Sequence, residues 1–377
     1  MRTLVFGGSF DPPHAGHAAL LAAAARALDP DSIVIVPAWR NPLKRRAPAG
    51  PADRLAMAKA GLLDALPPRW RARAWIHTAE LSSGRPIYTV DTLARLSADA
   101  PKAELHFVVG HDAAAEFGRW KDPRRLRRLA RWWTARRPGA GGRIPSFFSM
   151  LRSPMPAASS SEIRARLAVG DDVSDCLPAA VRRHIERRGL YGLGRLRTLR
   201  GLLGARRYEH SRHVARLAGR LARRWGLDED QALSAGILHD CGRSVPATRM
   251  GRCARARKLK LSRREQTARL APLLLHAYLS EDVCRRRFGV SDPAVLSAVR
   301  KHTLGDSRMS RLDRLLYVAD SCSLDRSYPE ASKLRALAFA DLDQAYEACL
   351  ANKLRGCLKD GSWIHPLSLS AWNSLRE

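Results

Sequence analysis

Short apolar runs separated by helix-spaced stretches fill the first half of the chain. Thr3–Phe6 is an apolar run that stops at Gly7-Gly8, and an alanine-rich segment of helical character follows from His17 to about Leu28. Ser32–Val36 is a β-branched run of buried-strand type closed by Pro37, and Leu105–Val109 is a further strand-like run ending at Gly110. Arg54–Leu66 and Val90–Leu96 read as helices. This alternation predicts a parallel sheet with helices on both faces. From about Leu196 the grammar changes. Helical periodicity covers His210–Trp225, Glu229–His239, Arg263–Tyr278, Ala294–His302, Leu312–Ala319 and Leu334–Leu350, with no strand between them. The expectation is an α/β domain over 1–191 followed by an all-α bundle over 195–377. The boundary falls at Gly189-Leu-Tyr-Gly-Leu-Gly194, where three glycines interrupt helix propagation. There is no internal repeat.

Composition adds partners to this picture. The 377 residues are 45% hydrophobic and 27% charged, which excludes wholesale disorder. The net charge of +30 favours phosphate-bearing partners without by itself meaning nucleic acid. The basic stretch Arg252–Arg264 reads most simply as a solvated surface. Seven cysteines, an odd number with no C-x-x-C pair, indicate neither a disulfide framework nor a zinc ribbon and fit a reducing compartment. The first residues reach Gly7-Gly8 before any signal-peptide core, and no run approaches the ~20 apolar residues that span a bilayer. A soluble cytoplasmic protein without a membrane partner is expected.

The densest chemistry lies in Gly7-Gly-Ser-Phe-Asp-Pro-Pro-His-Ala-Gly-His17, between the first strand and the first helix. In an open α/β sheet that point is the carboxyl end of a strand, where ligands bind. The glycines Gly7 and Gly8 let the backbone approach a phosphate, the helix N-terminus favours an anion, and Ser9 and Phe10 complete the candidate substrate-binding stretch. His14 and His17, three apart, can face the same bound group. Neither the dinucleotide nor the P-loop glycine pattern is present, so the phosphate site is of another kind.

This His-x-Gly-His element resembles the signature of the nucleotidyltransferase superfamily, and the rest of the half resembles bacterial nicotinate-nucleotide adenylyltransferases. Pro37–Lys44 is similar to that family's basic loop, Ile87-Tyr-Thr89 to its Ser-Tyr-Thr, and Val108-Val-Gly-His-Asp112 with Trp120 to its Gly-x-Asp and following tryptophan. Arg136-Arg-Pro138, Ser159–Arg164 and Gly189-Leu-Tyr191 match its later elements. The resemblance implies a Rossmann-like fold and adenylyl transfer from ATP, with Mg²⁺, to nicotinate mononucleotide. It implies that His17 donates to the α-phosphate and His14 holds the triphosphate. Lys44 and Arg164 would stabilise pyrophosphate, with Ser160 and Ser161 donating beside them. Asp112 would accept from a ribose hydroxyl, although a helix cap is its plainer role. Trp120 would stack on the pyridine, seated by Tyr88 and Thr89. Gly139–Ala158 departs from the family pattern.

In the second half, histidines and acids are the signal. His210 opens a helix; His239-Asp240 closes another; His276, His302 and Asp320 follow on later ones. An apolar helix ending in adjacent His and Asp needs something to offset their desolvation, and a metal does so. Imidazole with carboxylate suits a first-row ion, and single ligands from successive helices are how bundles hold one.

This pattern resembles the HD-domain phosphohydrolases, most closely the bacterial branch that cleaves diadenosine tetraphosphate symmetrically to two ADP. The resemblance implies that His210, His239, Asp240 and Asp320 hold one divalent metal and that Asp240 bridges to a second on His276 and His302. Iron is the foremost candidate, and the ions activate water for attack on phosphorus. Arg326 and Arg243 would stabilise phosphate charge, Arg243 standing where the family usually has lysine. Two rival readings keep less of this: the same folds acting on other nucleotides, or a basic RNA-binding regulator with degenerate sites. The intact motifs argue against the regulator and against nucleic acid as the partner. Homo-oligomerisation stays open.

Overall fold

The computed structural model describes residues 1–40, 49–139 and 141–376. Lys44, expected at the pyrophosphate, lies outside the described residues. The chain forms two compact units: Met1–Leu167 with Asp172–Tyr191, and Ala168–Asp171 with the residues from Gly192 onward.

The first unit is built on a six-stranded parallel sheet of order β3-β2-β1-β4-β5-β6. Its strands are β1 (Arg2–Gly8), β2 (Ser32–Pro37), β3 (Ala74–Ile76), β4 (Glu104–Val108), β5 (Arg131–Thr134) and β6 (Ser149–Met150). Side chains alternate between two apolar layers, as strand geometry requires. Leu4, Phe6, Ile33 and Ile35 pack with Leu20, Leu21 and Ala24 of helix Ala15–Leu28. Val5, Val34 and Phe107 pack on the other face with Val90 and Leu93 of helix Thr89–Asp99. Burial on both faces is why these strands read as continuous apolar runs. β1 and β4 are neighbours although far apart in sequence, so the strand order reverses between them. The crevice at their carboxyl ends is the ligand position of such sheets.

Three strands escaped the sequence reading. β3 and β6 are three and two residues long at the sheet's edges, and β5 sits inside an arginine-rich run that hides Trp132 and Thr134. The helix expected at Arg54–Leu66 is Pro51–Ala58 continued by a wider turn, Lys59–Leu63.

The second unit is helical, with no strand among its described residues. Helix Ala205–Trp225 packs along Glu229–Leu238, and Arg311–Ser321 packs on Pro293–Lys301 and on Leu342–Lys359. Two predicted helices are each broken. Arg263–Tyr278 is Arg264–Leu270, a tight turn Pro272–Leu275, and then His276–Phe288. Pro272 lacks the N–H a continuing helix needs. Leu334–Leu350 is Ala331–Ala340 followed by Leu342–Lys359, because the Asp341 carboxylate accepts from the Asp343 and Gln344 amides and restarts the helix. The basic side chains of Arg252–Arg264 lie toward the surface, with Arg255 paired to Glu265 and Arg257 to Asp282, while Ala254 within the stretch is buried. No helix among the described residues is long and apolar enough to cross a membrane.

Candidate functional site

The loop after β1 brings most of the expected first-unit residues together. Helix Ala15–Leu28 starts at His14, and the His14 backbone N–H donates to His17 Nδ1 at 3.3 Å. An accepting Nδ1 places the proton of a neutral His17 on Nε2, making that atom a donor. The two imidazoles lie 3.8 Å apart, and Phe10 meets His17 edge-on at 5.3 Å. Burial, with the charge of Arg137, pushes His14 down to about 4, so it is neutral at pH 7.

The backbone of this loop is held at successive carbonyls. Arg54, fully buried, donates to Ser9 at 3.2 Å and also to Ala38 and Trp39 at the end of β2. Arg164 Nη1 donates to Asp11 O at 2.9 Å, and Ser160 Oγ to Pro12 O at 2.9 Å. Tyr191 donates to the buried Asp11 carboxylate at 2.6 Å. Arg164 and Ser160 are thus at the loop as expected, but fastened to its carbonyls. Ser161 receives the other arm of Arg164 at 3.3 Å. Ser159 caps helix Ser160–Ala168, its Oγ accepting from Glu162 N. Asp112 is not a cap, since that position belongs to Gly110; both its oxygens instead take Arg137 Nη2, at 3.1 and 2.9 Å.

Beside Gly7, Gly8 and Ser9 lies a cavity of about 150 Å³ lined by Tyr88, Thr89 and Trp120. Trp120 is braced from behind by Phe117 at 5.5 Å and Trp132 at 5.8 Å, leaving it positioned to offer a face. Sequence reasoning missed the acid in this cavity. Glu80 is 7% exposed and accepts from Thr92 Oγ1 at 2.5 Å. Burial pushes its carboxyl up to about 7, against the smaller opposing effect of Thr92.

Glu80 gives the first unit a measurable pH dependence. Between 4.5, its ordinary value, and about 7 the folded state holds a proton that the unfolded chain has released. Stability therefore falls as pH rises through that window, by about 3 kcal/mol in all. His14 acts oppositely, because its depressed value adds stability as pH rises from about 4 to 6.5. In Glu80→Gln the falling component disappears. Urea unfolding of variant and wild type at pH 5 and pH 7.5 checks this: the variant gains relative stability at the higher pH.

In the second unit one device recurs three times. His239 and His302 sit just past the last residues of helices Glu229–Leu238 and Pro293–Lys301, and His276 just past the turn Pro272–Leu275. Helix ends carry carbonyls without intrahelical partners. Each histidine gives Nδ1–H to the carbonyl three residues back: His239 to Gly236 at 2.7 Å, His276 to Leu273 at 2.5 Å and His302 to Val299 at 2.7 Å. That fixes one tautomer and turns Nε2 inward. His276 Nε2 lies 3.1 Å, His302 Nε2 3.8 Å and His239 Nε2 3.9 Å from the Asp240 carboxylate. Gly236 is required here, since a Cβ would lie 2.6 Å from the Ala215 backbone. At Gly242 a Cβ would lie 2.5 Å from Ser280 N and strike the His276 carbonyl.

His210 joins from helix Ala205–Trp225, with Nε2 3.0 Å from Asp320 Oδ1 and Nδ1 2.8 Å from Asp325 Oδ2. Five of the six expected ligands thus fall in two overlapping triads, His210, His239, Asp320 and His239, Asp240, His302, and the sixth, His276, stands beside them through its 3.1 Å approach to Asp240. Arg243 Nε donates to Asp240 at 2.8 Å and Arg326 Nη2 to Asp320 at 2.7 Å. Asp325 was not singled out, its adjacency to Arg326 being the available signal, and Thr303, whose hydroxyl lies 3.0 Å from His276 Nε2, was read only as part of the His302-Thr303 match.

The donor set fits a divalent metal. His239 is fully buried, and its Nε2 has no hydrogen-bond partner among the described residues. Burial pushes His239 down to about 4 and lowers His276, while neighbouring imidazoles, and for Asp320 also Arg326, keep Asp240 and Asp320 well below the usual carboxylate range despite their burial. Neutral imidazole and ionised carboxylate are the ligating forms.

Residues 5–166 match the cytidylyltransferase-like family model and residues 207–325 the HD domain model. A Mycoplasma genitalium protein named "Probable nicotinate-nucleotide adenylyltransferase/Ap4A hydrolase" is 25% identical over 92% of this chain and 95% of its own length. Its Mycoplasma pneumoniae counterpart, of the same name, is 27% identical over 92% of this chain and 97% of its own. A nicotinate-nucleotide adenylyltransferase of Streptomyces coelicolor, likewise named as probable, is 34% identical, covering 49% of this chain and 98% of its own length. With the site geometry, these matches place the chain in the nicotinate-nucleotide adenylyltransferase family, joined in one polypeptide to an HD domain.

Proposed function

We propose a bifunctional enzyme. Its first unit joins ATP and nicotinate mononucleotide into nicotinate adenine dinucleotide and pyrophosphate, a step of NAD synthesis. Its second unit hydrolyses diadenosine tetraphosphate to two ADP. What supports the reading is that each unit gathers a constellation of its own: paired histidines after a strand's carboxyl end in one, and two overlapping His/Asp triads with His276 beside them in the other.

In the first reaction a 5′-phosphate oxygen of the mononucleotide forms a bond to the α-phosphorus of ATP, and the bond to the bridging oxygen breaks. No covalent enzyme intermediate is needed, so the chain supplies alignment and charge. His17 donates from Nε2 to the α-phosphate as negative charge builds, and neutral His14 donates to the triphosphate. Arg164 and Ser160 fix the loop that carries both, and Arg164, Ser161 and Lys44 would stabilise the departing pyrophosphate. Asp112 takes a ribose hydroxyl in exchange for Arg137. Trp120 stacks on the pyridine, with Tyr88 and Thr89 at its edge. Mg²⁺ neutralises the phosphates when bound.

In the second unit His210, His239, Asp240, His276, His302 and Asp320 would hold two divalent first-row metals, a donor set that suits iron, manganese or zinc, with iron the ion that the likeness to HD phosphohydrolases implies. The metals supply Lewis acidity at phosphorus and lower the pKa of water. Arg243 and Arg326, resting on ligand carboxylates, turn to the substrate phosphates as these arrive.

Product identification tests the whole reading. The full-length protein with ATP, nicotinate mononucleotide and Mg²⁺ yields nicotinate adenine dinucleotide. With diadenosine tetraphosphate and Fe²⁺ it yields ADP alone, and an AMP plus ATP product would contradict symmetrical cleavage.

A further inference from the structure

The cavity beside Trp120 carries more charge than seating a flat ring requires. Glu80, Glu116, Arg119 and Lys121 all line it. Arg119 Nη1 donates to Glu116 Oε1 at 2.8 Å, so these two lining charges neutralise each other. Lys121 differs. Its carboxylate partner, Asp91 at 3.3 Å, sits on helix Thr89–Asp99 and is not among the lining residues. The Lys121 ammonium lies 4.5 Å over the ring centroid of Tyr88, another wall of the cavity. Glu80, pushed up to about 7 by burial, is largely uncharged below neutrality and offsets Lys121 only in part. Lys121 is therefore the lining cation whose countercharge lies outside the wall, on a half-exposed pair that an incoming anion beside Tyr88 can share.

A pyridine mononucleotide brings a ring whose glycosylated nitrogen is positive and whose side group is either a carboxylate or a neutral amide. The carboxylate offers Lys121 a charge-assisted hydrogen bond; the amide leaves the ammonium facing a cationic ring with no anion between them. We propose that Lys121 is a specificity-determining residue that selects the acid mononucleotide over its amide. The proposal rests on the adenylyl-transfer reading above. Arg119, already paired within the wall, contributes less to this selection.

The test uses full-length protein and compares kcat/KM for nicotinate mononucleotide and nicotinamide mononucleotide, with ATP, in wild type, Lys121→Met and Lys121→Arg. Lys121→Met lowers the acid-to-amide ratio about tenfold, the size expected for a charged hydrogen bond at a half-exposed site. The loss falls on KM for the acid, and Lys121→Arg restores most of the ratio. A ratio unchanged within about twofold overturns the proposal. So does an equal loss on both substrates, which would mark Lys121 as a prop for Tyr88. Failure of the underlying reading shows separately: wild type would then turn over neither mononucleotide, whatever stands at position 121.

Discussion

Replacing His17 with alanine in the full-length protein lowers kcat for adenylyl transfer about 10²–10³-fold and leaves diadenosine tetraphosphate hydrolysis unchanged. The magnitude is that of deleting one preorganised donor from a site where charge develops in the transition state. The structure gives reasons to expect preorganisation. His17 is held from two sides, by the His14 N–H on its Nδ1 and by the edge-on ring of Phe10. Phe10 is itself buried and fixed at φ +47°, so the ring that braces His17 has little freedom. A donor that does not reorganise during the reaction contributes more than one recruited from solvent. The loss appears in kcat, while KM for ATP changes little, because His14, Arg164 and the loop amides remain. His17→Asn, which keeps a group able to accept from the His14 N–H, separates capping from donation: it recovers stability and leaves transfer depressed. Steady-state assays of both activities on each variant decide the matter. Transfer within about threefold of wild type would remove His17 from the chemistry, and loss of both activities from this single change would contradict two separate sites.

Much of this was legible in the chain because long buried elements write strong patterns. β1, β2 and β4 are covered on both faces, so their apolar runs could be read directly, and the Gly7–His17 loop announced itself by position and spacing. The three missed strands lie toward the ends of the sheet order, where few residues per strand are buried. Trp75, at the edge in β3, is 44% exposed and leaves no alternation to detect. Helix breaks were misplaced where a single residue decides: Asp341 restarts a helix with its carboxylate, and no periodicity records that. The candidate ligand histidines stood out as a set, since apolar helices ending in His-Asp demand an explanation. The device that aims them, an Nδ1–H on the carbonyl three residues back, needs coordinates. The same holds for Arg54, which reads as one more arginine among many, yet is fully buried and ties the Ser9 loop to the end of β2. Glu80 was invisible for the opposite reason: a glutamate near a turn looks solvated until Thr92 and the cavity are placed around it.

Asp240→Asn abolishes most metal binding in the second unit and lowers hydrolysis about 10³-fold or more, while adenylyl transfer is retained. Asp240 is 5% exposed and stands where the three inward Nε2 atoms meet. Asparagine keeps the shape and removes the negative charge. It also presents an amide N–H₂ to imidazoles that are poised to ligate, so one turn of the side chain blocks a donor and the other leaves only a neutral acceptor. The part-buried Arg243 contact, 2.8 Å to Asp240 Oδ1, loses its countercharge at the same time. Lewis-acid stabilisation in such sites amounts to several kcal/mol, and about 4 kcal/mol corresponds to a 10³-fold rate. His276→Gln acts on the Asp240 and His302 side alone, with the His210, His239 and Asp320 triad left in place. It reduces metal content by about half, where Asp240→Asn reduces it further. Elemental analysis of purified wild type and both variants, alongside ADP release, reads this order directly. A full metal complement in Asp240→Asn would place the ions elsewhere. Equal metal loss in both variants would replace two sites by one, since only a shared carboxylate between two ions makes Asp240 worth more than any single imidazole.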